Sequence, residues 1–169
     1  GVTIKNDYII QNIMSDYNIQ IIDLMRCKRN KFLIGKTMFN IIKAYVCHDT
    51  IIYGSGSYKR LEILLKVQNI IGGMKSLQKT VNIVMGGLLY DTLVQNLEFS
   101  KMISNLKINL VETRGMKEKL SDLNIKNVEI FPNAKSINNS LTAKHRSGKE
   151  KNIKCVFFSQ ISREKGVDK

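Results

Sequence analysis

The sequence predicts an α/β protein, a Rossmann-like doubly wound parallel sheet, and three features of the chain carry that expectation. Short apolar runs recur, longer segments with helical apolar spacing separate them, and glycine- or serine-rich turns stand where the two meet. Runs that are apolar on both faces and joined by helices pair in parallel, because only a crossover returns the chain to the same end of a sheet.

The first element is a helix over residues 4–17, where Tyr8, Ile9, Ile13 and Met14 fall at helical spacing. Ile19-Gln20-Ile21-Ile22-Asp23-Leu24 then reads as a short strand. A helix over 36–47 places Met38, Phe39, Ile42 and Val46 on one face, and the strand Thr50 to Tyr53 leads into the turn Gly54-Ser55-Gly56-Ser57. The helix over 58–71 carries Leu61, Leu64, Leu65 and Val67 and stops at the breaker Gly72-Gly73.

Thr80 to Met85 is the next strand, ending at Gly86-Gly87, and the helical stretch 88–106 is expected to break near 97–100. The strand Ile108 to Val111, a helix over 114–123 and the strand Asn127 to Phe131 complete five main strands, closed by Pro132-Asn133. Residues 136–152 are polar and lack apolar periodicity, which reads as a linker, and Ile153 to Phe158 starts a sixth strand. The expected organisation is a domain over 1–135, a linker over 136–152, and the first strand and loop of another domain over 153–169.

A chain of 169 residues, 43% hydrophobic and 24% charged, is long enough for one soluble core, and no apolar run approaches the roughly 18 residues of a membrane span. Cys27, Cys47 and Cys155 are odd in number and far apart, which favours reduced thiols in a cytoplasmic setting over disulfides or a zinc site. His48 and His145 form no ligand pattern with them, so no metal is expected.

Twenty-seven Lys and Arg against 14 Asp and Glu leave a net charge of +13, which suits nucleic acid, an anionic membrane face or phosphorylated substrates. Nucleic acid is the weaker fit, since Tyr and Phe fall at core-like positions and no binding motif is present. A non-catalytic Rossmann-like interaction domain is a further alternative.

Ligands of parallel sheets bind at the carboxyl ends of the strands, which places the segments 27–36, 54–57, 86–91 and 112–115 on one rim. There, Gly86 and Gly87 let a ligand approach the backbone, while Asp91 and Glu112 can accept hydrogen bonds from hydroxyls. The turn at Gly54 lacks the third glycine of a dinucleotide fingerprint, because position 59 is Lys59. Arg26, Lys28, Arg29, Lys31 and Lys36 alternate with Phe32, Leu33 and Ile34, a composition suited to an anionic bilayer surface or a lipid-diphosphate acceptor. Near the end, the run Val156-Phe157-Phe158 enters the polar loop Ser159 to Lys169. A strand aims that loop, Lys165 supplies charge and Gly166 admits a phosphate to the backbone.

In this order the residues resemble a GT-B glycosyltransferase of the family-4 type. Asn127-Val128-Glu129-Ile130-Phe131-Pro132-Asn133 is similar to the family's "nV-x-x-x-P-N" close of the N-terminal domain. Phe157 to Gly166 resembles its first C-terminal strand and "G-R-x-x-x-x-K-G" loop, and Gly86-Gly87 its central glycine pair.

The resemblance implies the N-terminal, acceptor-side lobe of a retaining hexosyltransferase that lacks its first strand, followed by the start of the donor lobe. The missing strand would sit between those at Ile19 to Leu24 and Val81 to Met85. Lys165 and Gly166 match the donor-phosphate lysine and glycine, and Gly1 matches the end of the first glycine-rich loop. The family's Gly-Arg is Ser159-Gln160 here, so Gln160 supplies no charge and Arg163 is the candidate replacement. The family's acidic pair lies further downstream, which implies that this piece alone is inactive. Implied partners are a nucleotide-sugar donor and a saccharide or lipid-linked acceptor of cell-surface polysaccharide synthesis, with no cofactor and no nucleic acid. The implied setting is cytoplasmic, peripheral at the inner membrane face.

Overall fold

The structure is a computed structural model that describes residues 2–24 and 33–132. All of them belong to one unit, Gly1–Ser136.

The described residues form six helices and four strands in the order α1 (Val2–Ile13), α2 (Leu33–Cys47), β1 (Ile51–Ser55), α3 (Tyr58–Leu77), β2 (Thr80–Val84), α4 (Leu89–Gln95), α5 (Leu97–Ser104), β3 (Ile108–Val111), α6 (Arg114–Asp122) and β4 (Val128–Ile130). The sheet runs β1-β2-β3-β4 with every pair parallel. This is a Rossmann-like α/β arrangement, and the parallel register puts the carboxyl ends at Ser55, Val84, Val111 and Ile130 on one rim.

Strand alternation sorts the sheet into two faces. Tyr53, Asn82, Asn109 and Val128 share one face by register, and Ile52, Val81 and Ile108 share the other. The first face carries the main core, in which Leu65 of α3, Leu89 ahead of Leu93 in α4, Phe99 and Ile103 of α5 and Leu120 of α6 pack with Val84, Val111 and Val128. Six of these side chains are completely buried, each contributing about 2 kcal/mol of transfer free energy. A smaller cluster of Ile41 and Tyr45 from α2 with Ile51 continues the layer at the β1 edge. On the other face α1 lies over β1, where Asn6 Nδ2 donates to the carbonyl of Gly54 at 3.1 Å. A Cβ at Gly54 would collide with that Asn6 side chain, so the glycine allows the close approach.

Local chemistry sets the helix ends. Asn96 separates α4 from α5 and caps the latter, its Oδ1 accepting from Phe99 N at 3.0 Å. Asn124, at φ 60°, takes the left-handed position just after α6. The expected breaker at 72–73 kinks α3 rather than ending it: Gly73 sits at φ 61°, ψ −164°, and the helix resumes through Leu77.

Several polar side chains inside the fold are paired, while His48 Nδ1 and Asn127 Oδ1 are buried without a hydrogen-bond partner among the described residues. Asn82 Nδ2 donates to Asn109 Oδ1 at 3.0 Å across β2 and β3, and Asn109 Nδ2 donates to the Ile103 carbonyl at 3.0 Å. Gln68, fully buried, reaches the Ser76 carbonyl at 2.7 Å and Thr80 Oγ1 at 2.7 Å, tying α3 across its own kink to the start of β2.

Two expectations are corrected. Residues 18–23 have no regular structure, so the described sheet has four strands and not five. Ile22 and Leu24 instead pack, partly buried, against Ile41, Tyr45 and Ile51, while Ile21 stays exposed, so the segment makes core contact without a ladder. The neighbour of Thr80–Val84 is Ile51–Ser55, in register from Ile51↔Thr80 to Ser55↔Val84, and no slot for an additional strand separates them. The remaining strands and helices of this unit stand where the apolar periodicity places them, within a few residues at their ends.

Candidate functional site

A cleft of about 120 Å³ opens on the carboxyl rim between β2 and β3, lined by Val84, Gly86, Gly87, Glu112, Thr113 and Met116. Three of the sequence-selected residues, Gly86, Gly87 and Glu112, therefore meet at one place. Gly86 adopts φ 94°, a backbone conformation costly to any residue with a Cβ, and it turns the chain out of β2 toward α4. Gly87 presents bare backbone to open space.

Opposite the glycines, Glu112 follows β3 directly and Thr113 caps α6, its Oγ1 accepting from Met116 N at 3.2 Å. The cap orients the first turn of α6 along the cleft wall and holds Met116 over it.

Behind the glycine loop stands Tyr58, the first residue of α3. Its hydroxyl lies 2.9 Å from the Gly86 carbonyl and 3.1 Å from that of Met85, so it donates into the turn from below. Burial pushes the phenol up to about 12, and the Glu112 carboxylate adds to the shift by opposing a second negative charge. Tyr58 is therefore a neutral donor at any physiological pH. Sequence reasoning noted this residue only as a helix start. Thr113 and Met116 were missed as well, although a threonine just before a helix is a capping signature.

The arrangement offers exposed backbone, a carboxylate acceptor and an apolar wall. A phosphate would meet the like charge of the Glu112 carboxylate there. A neutral polyol suits the same groups, because its hydroxyls can donate to the carboxylate while its carbon skeleton rests on Met116 and Val84.

Asp91 is exposed in the first turn of α4 and is not among the residues lining the cleft. Gly1, Arg26, Lys28, Arg29, Lys31, Gln160, Arg163, Lys165 and Gly166 lie outside the described residues, as do Cys27 and Cys155. Cys47 is a free, exposed thiol. Among the described residues, no group of three or more His, Cys, Asp or Glu could hold a metal ion, and no helix is long and apolar enough to cross a membrane.

Comparison with protein families, with curated proteins and with solved structures returns no match for this chain.

Proposed function

We propose that this chain forms the acceptor-side lobe of a GT-B glycosyltransferase, moving a sugar from a nucleotide-sugar donor to a saccharide or lipid-linked acceptor. One observation carries the reading: Gly86, Gly87 and Glu112 converge on a cleft at the carboxyl rim of a parallel sheet, where a hydroxylated ligand can reach both backbone and a carboxylate. The resemblance of residues 127–133 and 157–166 to the family's motifs supplies the reaction class.

On this reading Glu112 orients an acceptor hydroxyl and the glycines admit the sugar ring. Donor diphosphate belongs elsewhere, at the Lys165–Gly166 loop, where positive charge and backbone N–H groups would stabilise the leaving phosphate.

Two measurements test it. Amide shifts of the chain titrated with a panel of mono- and disaccharides should move at Gly86, Gly87 and residues 112–116. A chain extended through a complete donor lobe should release nucleoside diphosphate from a nucleotide sugar, and Glu112→Gln should raise the acceptor KM. Failure to shift those amides together with no release from any donor would overturn the proposal.

A further inference from the structure

Glu112 and Thr113 form the polar wall of the cleft. Of the six described residues lining it, Glu112 is the one carboxylate and Thr113 the one with a side-chain hydrogen-bond donor. Thr113 Oγ1 accepts from Met116 N at 3.2 Å, which uses a lone pair and not the proton, so the hydroxyl hydrogen has no partner among the described residues. Tyr58 does not compete for a ligand, because its single proton is directed at the carbonyls of Met85 and Gly86.

The two residues are consecutive, with Cα atoms about 3.8 Å apart, so an acceptor and a donor stand side by side. Hydroxyls on neighbouring carbons of one ring match that pairing: the first donates to the carboxylate, and the second accepts from the threonine. A carboxylate has about four acceptor sites, so one ligand hydroxyl does not exhaust Glu112. A phosphate or carboxylate group on the ligand brings no proton for Glu112 and shares its sign. Pockets that enclose a drug-sized ligand run to roughly 300–1,000 Å³, so a cleft of about 120 Å³ seats one terminal residue of a glycan and not a run of them.

We propose that the cleft selects a terminal, uncharged sugar residue through two adjacent hydroxyls, Glu112 taking a hydrogen bond from the first and Thr113 giving one to the second. The inference rests on the transferase reading and narrows its acceptor to a neutral glycan end. Thr113 is then a specificity-determining residue, a role separate from its capping of α6.

The test is titration of the full chain with methyl hexopyranosides, read from the amide shifts of Gly86, Gly87 and residues 112–116. Each sugar is compared with its singly deoxygenated and singly fluorinated forms, since fluorine keeps a weak acceptor and removes the donor. One ring position, the hydroxyl that donates to Glu112, should lose roughly tenfold in affinity with either change. A neighbouring position, the hydroxyl that accepts from Thr113, should lose about fivefold on deoxygenation and less on fluorination. Thr113→Ser keeps both the cap and the proton and should retain this pattern, whereas Thr113→Val should flatten it at the second position alone. The pattern in the parent chain decides the matter even where Thr113→Val, lacking the cap, fails to fold. Hexose 6-phosphates should move the same amides more weakly than the neutral sugars. Sugars that move these amides without an adjacent pair of sensitive positions, a Thr113→Val variant with the parent's pattern, or phosphates that bind as well as neutral sugars overturn the inference and leave the transferase reading standing. No movement with any sugar also overturns it, and takes the transferase reading with it where the extended chain releases no nucleoside diphosphate.

Discussion

The hydroxyl of Tyr58 lies 2.9 Å from the backbone carbonyl of Gly86, and that one contact ties the first turn of α3 to the turn leaving β2. Because Gly86 also forms the cleft wall, the shape of the candidate site depends on a residue outside it. Tyr58→Phe keeps the ring and removes the donor, so stability should fall by about 1 kcal/mol, an ordinary net hydrogen-bond contribution. Urea denaturation measures that loss. Amide exchange at Gly86 and Gly87 should accelerate in the same variant, and unchanged exchange would show that the turn holds its shape without the phenol.

The glycine pair should respond unequally to the same substitution. Gly86→Ala places a Cβ on a residue at φ 94° and should cost about 1–2 kcal/mol. Gly87→Ala meets nothing within 4 Å and should stay within about 0.5 kcal/mol of the parent protein. If both variants cost the same in thermal or urea unfolding, the strained turn is not where the structure places it. For ligand binding the order reverses, since a methyl group at Gly87 intrudes on the open side of the cleft.

The sheet was legible in the chain because Thr80 to Met85 and Ile108 to Val111 are apolar on both faces, a pattern that water-facing segments do not sustain. That the glycine pair and Glu112 meet at one cleft was legible because parallel strands force their carboxyl ends onto one rim. Ile19 to Leu24 misled for a physical reason: Ile22 and Leu24 are partly buried against α2 and β1, and an apolar pattern reports such contact, not backbone pairing. The role of Tyr58 was hidden because its partners are carbonyls 27 and 28 residues away, a relationship with no local signature. Neither Gln68 nor the Asn82–Asn109 pair was singled out, since a polar residue inside an apolar run discloses its partner only in three dimensions.

Gln68 should tolerate substitution better than its complete burial suggests. Its Oε1 accepts from the Tyr53 hydroxyl at 3.0 Å, and its Nε2 serves Ser76 and Thr80. Several of those partners have a second option, however. Thr80 Oγ1 lies 3.0 Å from the Ser76 carbonyl, and Tyr53 can turn its proton to Tyr45 Oη at 3.0 Å. Gln68→Leu, which fills the space and lets the network rewire, should therefore cost about 2 kcal/mol, whereas Gln68→Ala adds a cavity and should cost about 3–4 kcal/mol. Equal losses in the two variants, read from denaturant midpoints, would mean that the network cannot rewire.

Alkaline pH should unfold this protein through its buried phenols. Burial raises Tyr53 far above the ordinary 10.0, with Tyr45 adding to the effect. Tyr45 is raised by burial and partly relieved by its hydrogen bond to Tyr53, and Tyr58 is pushed up to about 12. A tyrosine whose folded pKa is raised stays protonated in the native state while its unfolded counterpart ionises. The unfolded chain then binds fewer protons, and stability declines as pH rises. The contribution of Tyr58 is accordingly complete below pH 10 and is lost between about 10 and 12. Urea midpoints measured across that window should fall, with phenolate absorbance appearing alongside the loss of helical circular dichroism. Tyr58→Phe should shallow the slope. Glu112→Gln, by removing the opposing charge, should let Tyr58 ionise at lower pH, so the decline attributable to it should end earlier. A titration in which Glu112→Gln leaves the phenolate profile untouched would separate that carboxylate from Tyr58 and, with it, from the turn that shapes the cleft.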